Sequence, residues 1–198
     1  MSFRIAAFCI GLIVAAYWFR VVRMARKARK ANSSANFVPP EPIGRALRII
    51  WIPIVAVWVG YPFALALARM HGDAAPFYAS GWVAAPCAVG IFACFQLTRI
   101  CWRIMGKNWR MGINPNEKTE LVSIGPWAIV RHPIYALSQV MMVLTVVALP
   151  ALPLILAGSL HLLLLRYEAH REEDYMLRMH GAAYEDYRRR VGRFIPGV

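Results

Sequence analysis

The polar residues of chemical interest in this otherwise apolar chain cluster in two blocks. The first is Arg131-His132-Pro133-Ile134-Tyr135. The second runs Arg166-Tyr167-Glu168-Ala169-His170-Arg171-Glu172-Glu173-Asp174 and continues to Gly181, Tyr184 and Tyr187. Carboxylates accept hydrogen bonds from amines and hydroxyls, and histidine and glutamate carry protons in general acid–base work. His132 precedes proline, which biases its backbone to extended geometry, and Pro133 suits the first position of a helix. His132, Tyr135 and Gln139 then recur at near-helical spacing on one face. The same residues also suit a basic, aromatic motif at a membrane interface, and spacing alone leaves both readings open.

In the second block, Glu172 and Glu173 are adjacent, so a helix points them to different sides. They are not a facing carboxylate pair of the glycosidase kind. One can accept from a ligand amine or ribose hydroxyls while the other pairs with arginine. A solvated charged face with pairs such as Asp174–Arg178 is the simpler reading of the spacing. His161, Leu165, Glu168 and Glu172 follow at helical intervals on one face. His161 lies in an apolar run, where an ionisable group is costly and a functional candidate; an interior histidine bonded to a carbonyl accounts for it equally. Cys87, Cys94 and Cys101 are spaced by sevens as a packing stripe. No CxxC or Cys/His pattern implies a metal.

These residues need elements to position them, and the composition says which. The chain has 198 residues, 59% hydrophobic and 17% charged, with a net charge of +13. Mean hydropathy is +0.46. That is too apolar for an ordinary soluble domain, which averages about 45–50% apolar, and too apolar for disorder. Apolar runs cover about Phe3–Val22, Ala46–Ala68 and Phe77–Cys101, each near the roughly 20 residues that span a bilayer. The first ends in Tyr17-Trp18-Phe19 and a basic cluster, as a membrane anchor does. A polar loop with Pro39, Pro40 and Pro42 follows it. Residues 103–133 carry Gly106, Gly112, Asn114-Pro115 and Gly125-Pro126, a loop with turns. The fourth apolar region, Ile134–Leu165, holds Pro150 and Pro153 near its centre. As one helix it would reach about 48 Å against a core of about 30 Å, so the prolines are expected to fold it into a hairpin of two short legs.

Charge tests that hairpin independently. With the loop after the first helix in the cytosol and the hairpin returning the chain, 21 of 23 basic residues fall on one side, and only Arg4 and Arg69 lie outside. A single span would strand the seven tail arginines on the wrong side. The expected architecture is all-α: a polytopic membrane bundle of five segments, the last two a short hairpin, with a cytosolic helical C-terminal tail. The N-terminus is outside, and the membrane would be the inner one in a bacterium. Residues 1–102 form three helices with a cytosolic loop at 23–45. Residues 103–198 form a loop (103–133), the hairpin (134–165) and the tail (166–198). The basic excess is thereby an orientation signal, not a nucleic-acid footprint, and neither a P-loop nor a GxGxxG is present.

The ordered set of motifs in residues 105–196 resembles the integral-membrane methyltransferases that include isoprenylcysteine carboxyl methyltransferase and relate to phospholipid methyltransferases. The lead-in Leu121-Val122-Ser123-Ile124-Gly125-Pro126-Trp127 matches L-V-x-x-G-P-aromatic, and Arg131 to Tyr135 match RHPxY. After the hairpin come Glu172-Glu173, then Gly181, Tyr184, Tyr187 and Pro196. The glycine that follows the family's tyrosine is Leu137 here, which narrows a close approach. The resemblance implies S-adenosylmethionine bound at the cytosolic mouth. Its cofactor site would comprise Leu121, Val122, Gly125, Val130, His132, Pro133, Tyr135, Glu172, Glu173 and Tyr184. Arg131 would lie near the reacting centre or the carboxylate, with Glu168, Glu172 or His132 as candidate bases. The acceptor, a lipid or small lipophile bearing a carboxylate, thiol or amine, would enter sideways from the bilayer, and no metal is implied. The alternatives are an NADPH-dependent membrane reductase of the same fold and a non-catalytic lipid-binding protein.

Overall fold

A computed structural model describes residues 1–30, 41–68, 70–106, 109, 113 and 120–197. Pro39, Pro40, Arg69, Lys107, Arg110, Gly112, Asn114-Pro115 and Lys118 lie outside the described residues. Among the described residues there are six α-helices: α1 (Phe3–Lys30), α2 (Pro42–Leu67), α3 (Gly81–Met105), α4 (Pro133–Ala148), α5 (Leu152–His180) and α6 (Ala182–Arg190). Among the described residues there is no named strand, only an isolated bridge between Val130 and Gly192. Helices α1, α2, α3 and α5 are long and apolar enough to cross a membrane, whereas α4 is shorter. The chain is therefore an all-helical protein with the helices of a membrane protein.

Helix ends follow local chemistry. Pro42 places proline in the first turn of α2, ahead of the expected Ala46 start, because its fixed φ is already helical. α3 begins at Gly81 rather than Phe77. Residues 77–80 stay extended because Phe77 donates its N–H to the Pro150 carbonyl at 2.7 Å and Tyr78 Oη reaches the Val147 carbonyl at 2.6 Å. α1 runs on through the basic stretch to Lys30, past the expected end near Val22.

The fourth apolar region breaks where its prolines stand. Leu149 leaves the helix at φ −133°, ψ 62°, since Pro150 disfavours helical geometry in the residue before it. Pro153 then sits in the first turn of α5. The two legs run antiparallel, since Ser138 pairs with His161 and Tyr135 with Glu172. Close approach requires Gly158: a Cβ there would stand 3.1 Å from Val146 Cγ2. The legs are unequal. α4 has 16 residues, about 24 Å, while α5 has 29. The first part of the expected tail is thus the same helix, which carries Glu168, Glu172 and Glu173 beyond its apolar section.

The five long helices pack as a closed ring in the order α1–α2–α5–α4–α3. Trp58, His161, Thr98 and Thr145 are fully buried inside it. In an apolar interior, polar groups must pair with one another. Trp58 Nε1 donates to Thr145 Oγ1 at 3.0 Å, and Ser138 Oγ meets His161 Nε2 at 3.1 Å. His161 accordingly bonds a hydroxyl rather than a backbone carbonyl, with its ring edge-on to Trp51 and Trp58. Cys87, Cys94 and Cys101 lie on the buried face of α3, and the first two join the core.

Candidate functional site

The hairpin brings its two polar blocks together at one end. His132 precedes α4 with φ −123°, ψ 64°, outside the extended region expected before proline. Its backbone is held instead by a returning segment: Arg131 N–H donates to Gly192 O at 2.8 Å and His132 N–H to Arg193 O at 3.1 Å. One turn into α4, Tyr135 stacks flat on the His132 ring, with centroids 5.4 Å apart and 4° between planes.

The adjacent glutamates of α5 divide as their helical spacing predicts, and His132 touches both. Glu173, 3% exposed, accepts from Arg131 Nε at 3.1 Å and from Arg193 Nε and Nη2 at 2.8 and 2.7 Å. His132 Nε2 lies 3.2 Å from the same carboxylate. A buried charge requires such pairing. Glu172 takes the other side. It accepts from Tyr135 Oη and lies 3.5 Å from His132 Nδ1.

A cavity of about 180 Å³ opens beside this cluster. Leu121, Val122, Arg131, His132, Pro133, Tyr135, Glu172 and Tyr184 all line it. Its other walls are mostly apolar or aromatic, with Met105, Trp109, Ile113, Trp127, Met176 and Tyr187, and Glu120 adds a second carboxylate to the lining. Tyr187 is buried and donates to the Trp127 carbonyl at 2.6 Å. Burial pushes its phenol up to about 12 and raises the Tyr184 phenol as well. The bidentate contact with Glu173 raises Arg193, outweighing its partial burial.

Four expected site residues fall elsewhere. Gly125 shapes the 3-10 turn Gly125–Ala128 with φ +60°, a conformation glycine adopts without strain. Val130 is spent on the bridge to Gly192. Glu173 faces the arginines behind the cavity, not the cavity itself. Glu168 lies one turn nearer the bundle centre, where Arg171 Nη1 donates to it at 2.8 Å and also pairs through Nη2 with Glu41. Arg131 lines the cavity, but its guanidinium is committed to Glu173 and to the carbonyls of Arg188 and Val191. Gln139 does not line the cavity.

Sequence reasoning missed Arg193, which closes the Glu173 cluster, and Trp109, which lines the cavity from a poorly patterned loop. The surviving signal for Arg193 was its place in a basic tail that already contained the motif tyrosines. No protein-family model matches the chain, and a search of curated proteins finds no significant match.

Proposed function

We propose that the protein is an integral membrane methyltransferase that uses S-adenosylmethionine and passes the methyl group to a lipophilic acceptor. The carrying observation is the division of labour between Glu172 and Glu173. One carboxylate is buried and saturated, fixing His132 and the returning segment. Its neighbour faces a cavity with aromatic walls.

The residues present fit the cofactor. Glu172 offers a carboxylate to an ammonium or to ribose hydroxyls. Tyr184, Trp109 and Met176 offer apolar and aromatic surface to an adenine ring. When bound, S-adenosylmethionine supplies an electrophilic methyl on a sulfonium. The chain's own contribution is positioning and exclusion of water. The His132–Tyr135 stack and the Glu173 cluster hold the cavity wall rigid, which methyl transfer rewards because attack must be in line. The apolar walls strip water from the nucleophile. Glu168, on the far side of Tyr135, is placed to take a proton from the acceptor.

In the membrane, five segments with the N-terminus outside put the basic stretch of α1, the cavity and α6 on the cytosolic face, as the basic residues require. The short α4 is accommodated by local thinning of the bilayer.

Isothermal titration of S-adenosylhomocysteine and of NADPH into detergent-purified protein tests the reading. S-adenosylhomocysteine is expected to bind, and Glu172→Gln and His132→Ala to weaken it at least tenfold. Binding of NADPH with none of S-adenosylhomocysteine would overturn it.

A further inference from the structure

Behind the first cavity lies a second, of about 70 Å³. Trp109, Ile134 and Tyr135 line both, so the two cavities adjoin at these three residues. The second cavity sits where all five long helices meet, with Trp18 from α1, Arg48 and Trp51 from α2, Trp102 from α3, Ser138 from α4 and Glu168 from α5.

Three features define its chemistry. The first is a surplus of donors. The indole N–H groups of Trp18, Trp51 and Trp102 are buried and have no hydrogen-bond partner. They come from three different helices, and all three residues line this one cavity. Unpaired buried donors are costly, so the space calls for an oxygen. The second feature is charge. The charged side chains lining it are Glu168 and Arg48, one carboxylate to one guanidinium. An anionic head would add a negative charge with no partner, whereas a neutral one leaves the balance alone. The third is size. The volume is that of roughly two waters, enough for the reacting edge of a molecule and too small for a phospholipid headgroup.

Building on the methyl-transfer reading, we infer that this cavity is the acceptor subsite and that the acceptor is a lipophilic phenol or enol. The indoles donate to the oxygen edge of such a molecule. A phenol, ionising near pH 10 in water, gives up its proton far more readily than an aliphatic alcohol. In the transfer, the acceptor oxygen forms a bond to the methyl carbon as the carbon–sulfur bond breaks. The sulfur keeps that electron pair and becomes a neutral thioether. The hydroxyl proton passes to Glu168 Oε1, since Arg171 holds Oε2.

The test has two arms on the full chain in detergent. First, 4-nonylphenol, decanoate and decylamine are titrated without cofactor. The phenol is expected to bind at least tenfold tighter than the other two, and Trp51→Phe and Trp102→Phe each to weaken it about fivefold, one neutral hydrogen bond apiece. Phenol affinity unchanged in both variants means the cavity holds water only and overturns the subsite. Second, labelled methyl transfer from S-adenosylmethionine should yield 4-nonylanisole. Glu168→Gln should keep phenol binding and lose transfer at least a hundredfold. Preferred methylation of decanoate or decylamine overturns the acceptor class alone. Phenol binding that is sensitive to the tryptophans, with no S-adenosylhomocysteine binding, overturns the methyl-transfer reading while leaving the subsite intact.

Discussion

Glu173→Ala should open the segment that returns from α6. The wild-type carboxylate is 3% exposed and accepts from Arg131, His132 and both donors of Arg193. Removing one partner of a buried ion pair costs about 3–5 kcal/mol. Two features pull this case to the lower end. Arg193 is 23% exposed in its side chain and can turn to water. Arg131 keeps the carbonyls of Arg188 and Val191. A loss of about 3 kcal/mol multiplies the open population roughly 150-fold, at 1.36 kcal/mol per decade. Limited trypsin cleavage at Arg188 to Arg193 reads that population directly when reclosing is fast. Glu173→Gln keeps an acceptor and loses the charge, so it should fall between, at about tenfold. Cleavage of the alanine variant within threefold of wild type would refute the argument. It would show that the backbone bonds at Arg131 and His132 hold the segment unaided.

Other perturbations read other parts of the bundle. Tyr187 should ionise near 12, not 10; its stabilising contribution is complete below pH 10 and disappears as pH rises from 10 to 12, because the unfolded phenol ionises first. The wild-type minus Tyr187→Phe difference in tyrosinate absorbance checks this, and a component titrating at 10 contradicts it. Thr145→Val leaves the buried Trp58 N–H unpaired and should cost about 1–3 kcal/mol, with Thr145→Ser largely neutral; thermal midpoints in detergent compare them. Gly158→Val should force α4 and α5 apart and cost about 1–3 kcal/mol by overpacking, seen as a lowered thermal midpoint of the intact protein.

The hairpin was legible because its signal is local. Pro150 and Pro153 break the helix within a few residues of each other, and the arginine count decides between one span and two. The meeting of the two polar blocks at one mouth of that hairpin was anticipated by the order of the motifs, and the divergence of Glu172 from Glu173 by helical spacing. What sequence could not show depends on distant segments. Arg193 reaches Glu173 only because residues 191–194 fold back beside 130–132, and no periodicity encodes that return. Glu41 finds Arg171 across 130 positions. Trp18, Trp51 and Trp102 stand far apart in the sequence, and only the ring of helices gathers their indoles around one space. Glu168 was placed with the other carboxylates by its spacing, yet a single helical turn moved it behind Tyr135.

The fold-back of residues 191–194 also sets a schedule for synthesis. Arg131 and the Val191 carbonyl it binds are 60 residues apart. At about 5–20 residues per second, translation separates them by roughly 3–12 seconds. α4 and α5 are made within that interval, and from the moment Glu173 is added until Arg193 follows, Arg131, His132 and Glu173 have only one another and water. The hairpin must therefore form with its polar mouth unfinished. A ribosome pausing between α5 and residue 193 would prolong that state, and a nascent chain stalled there would carry the bundle without the cavity.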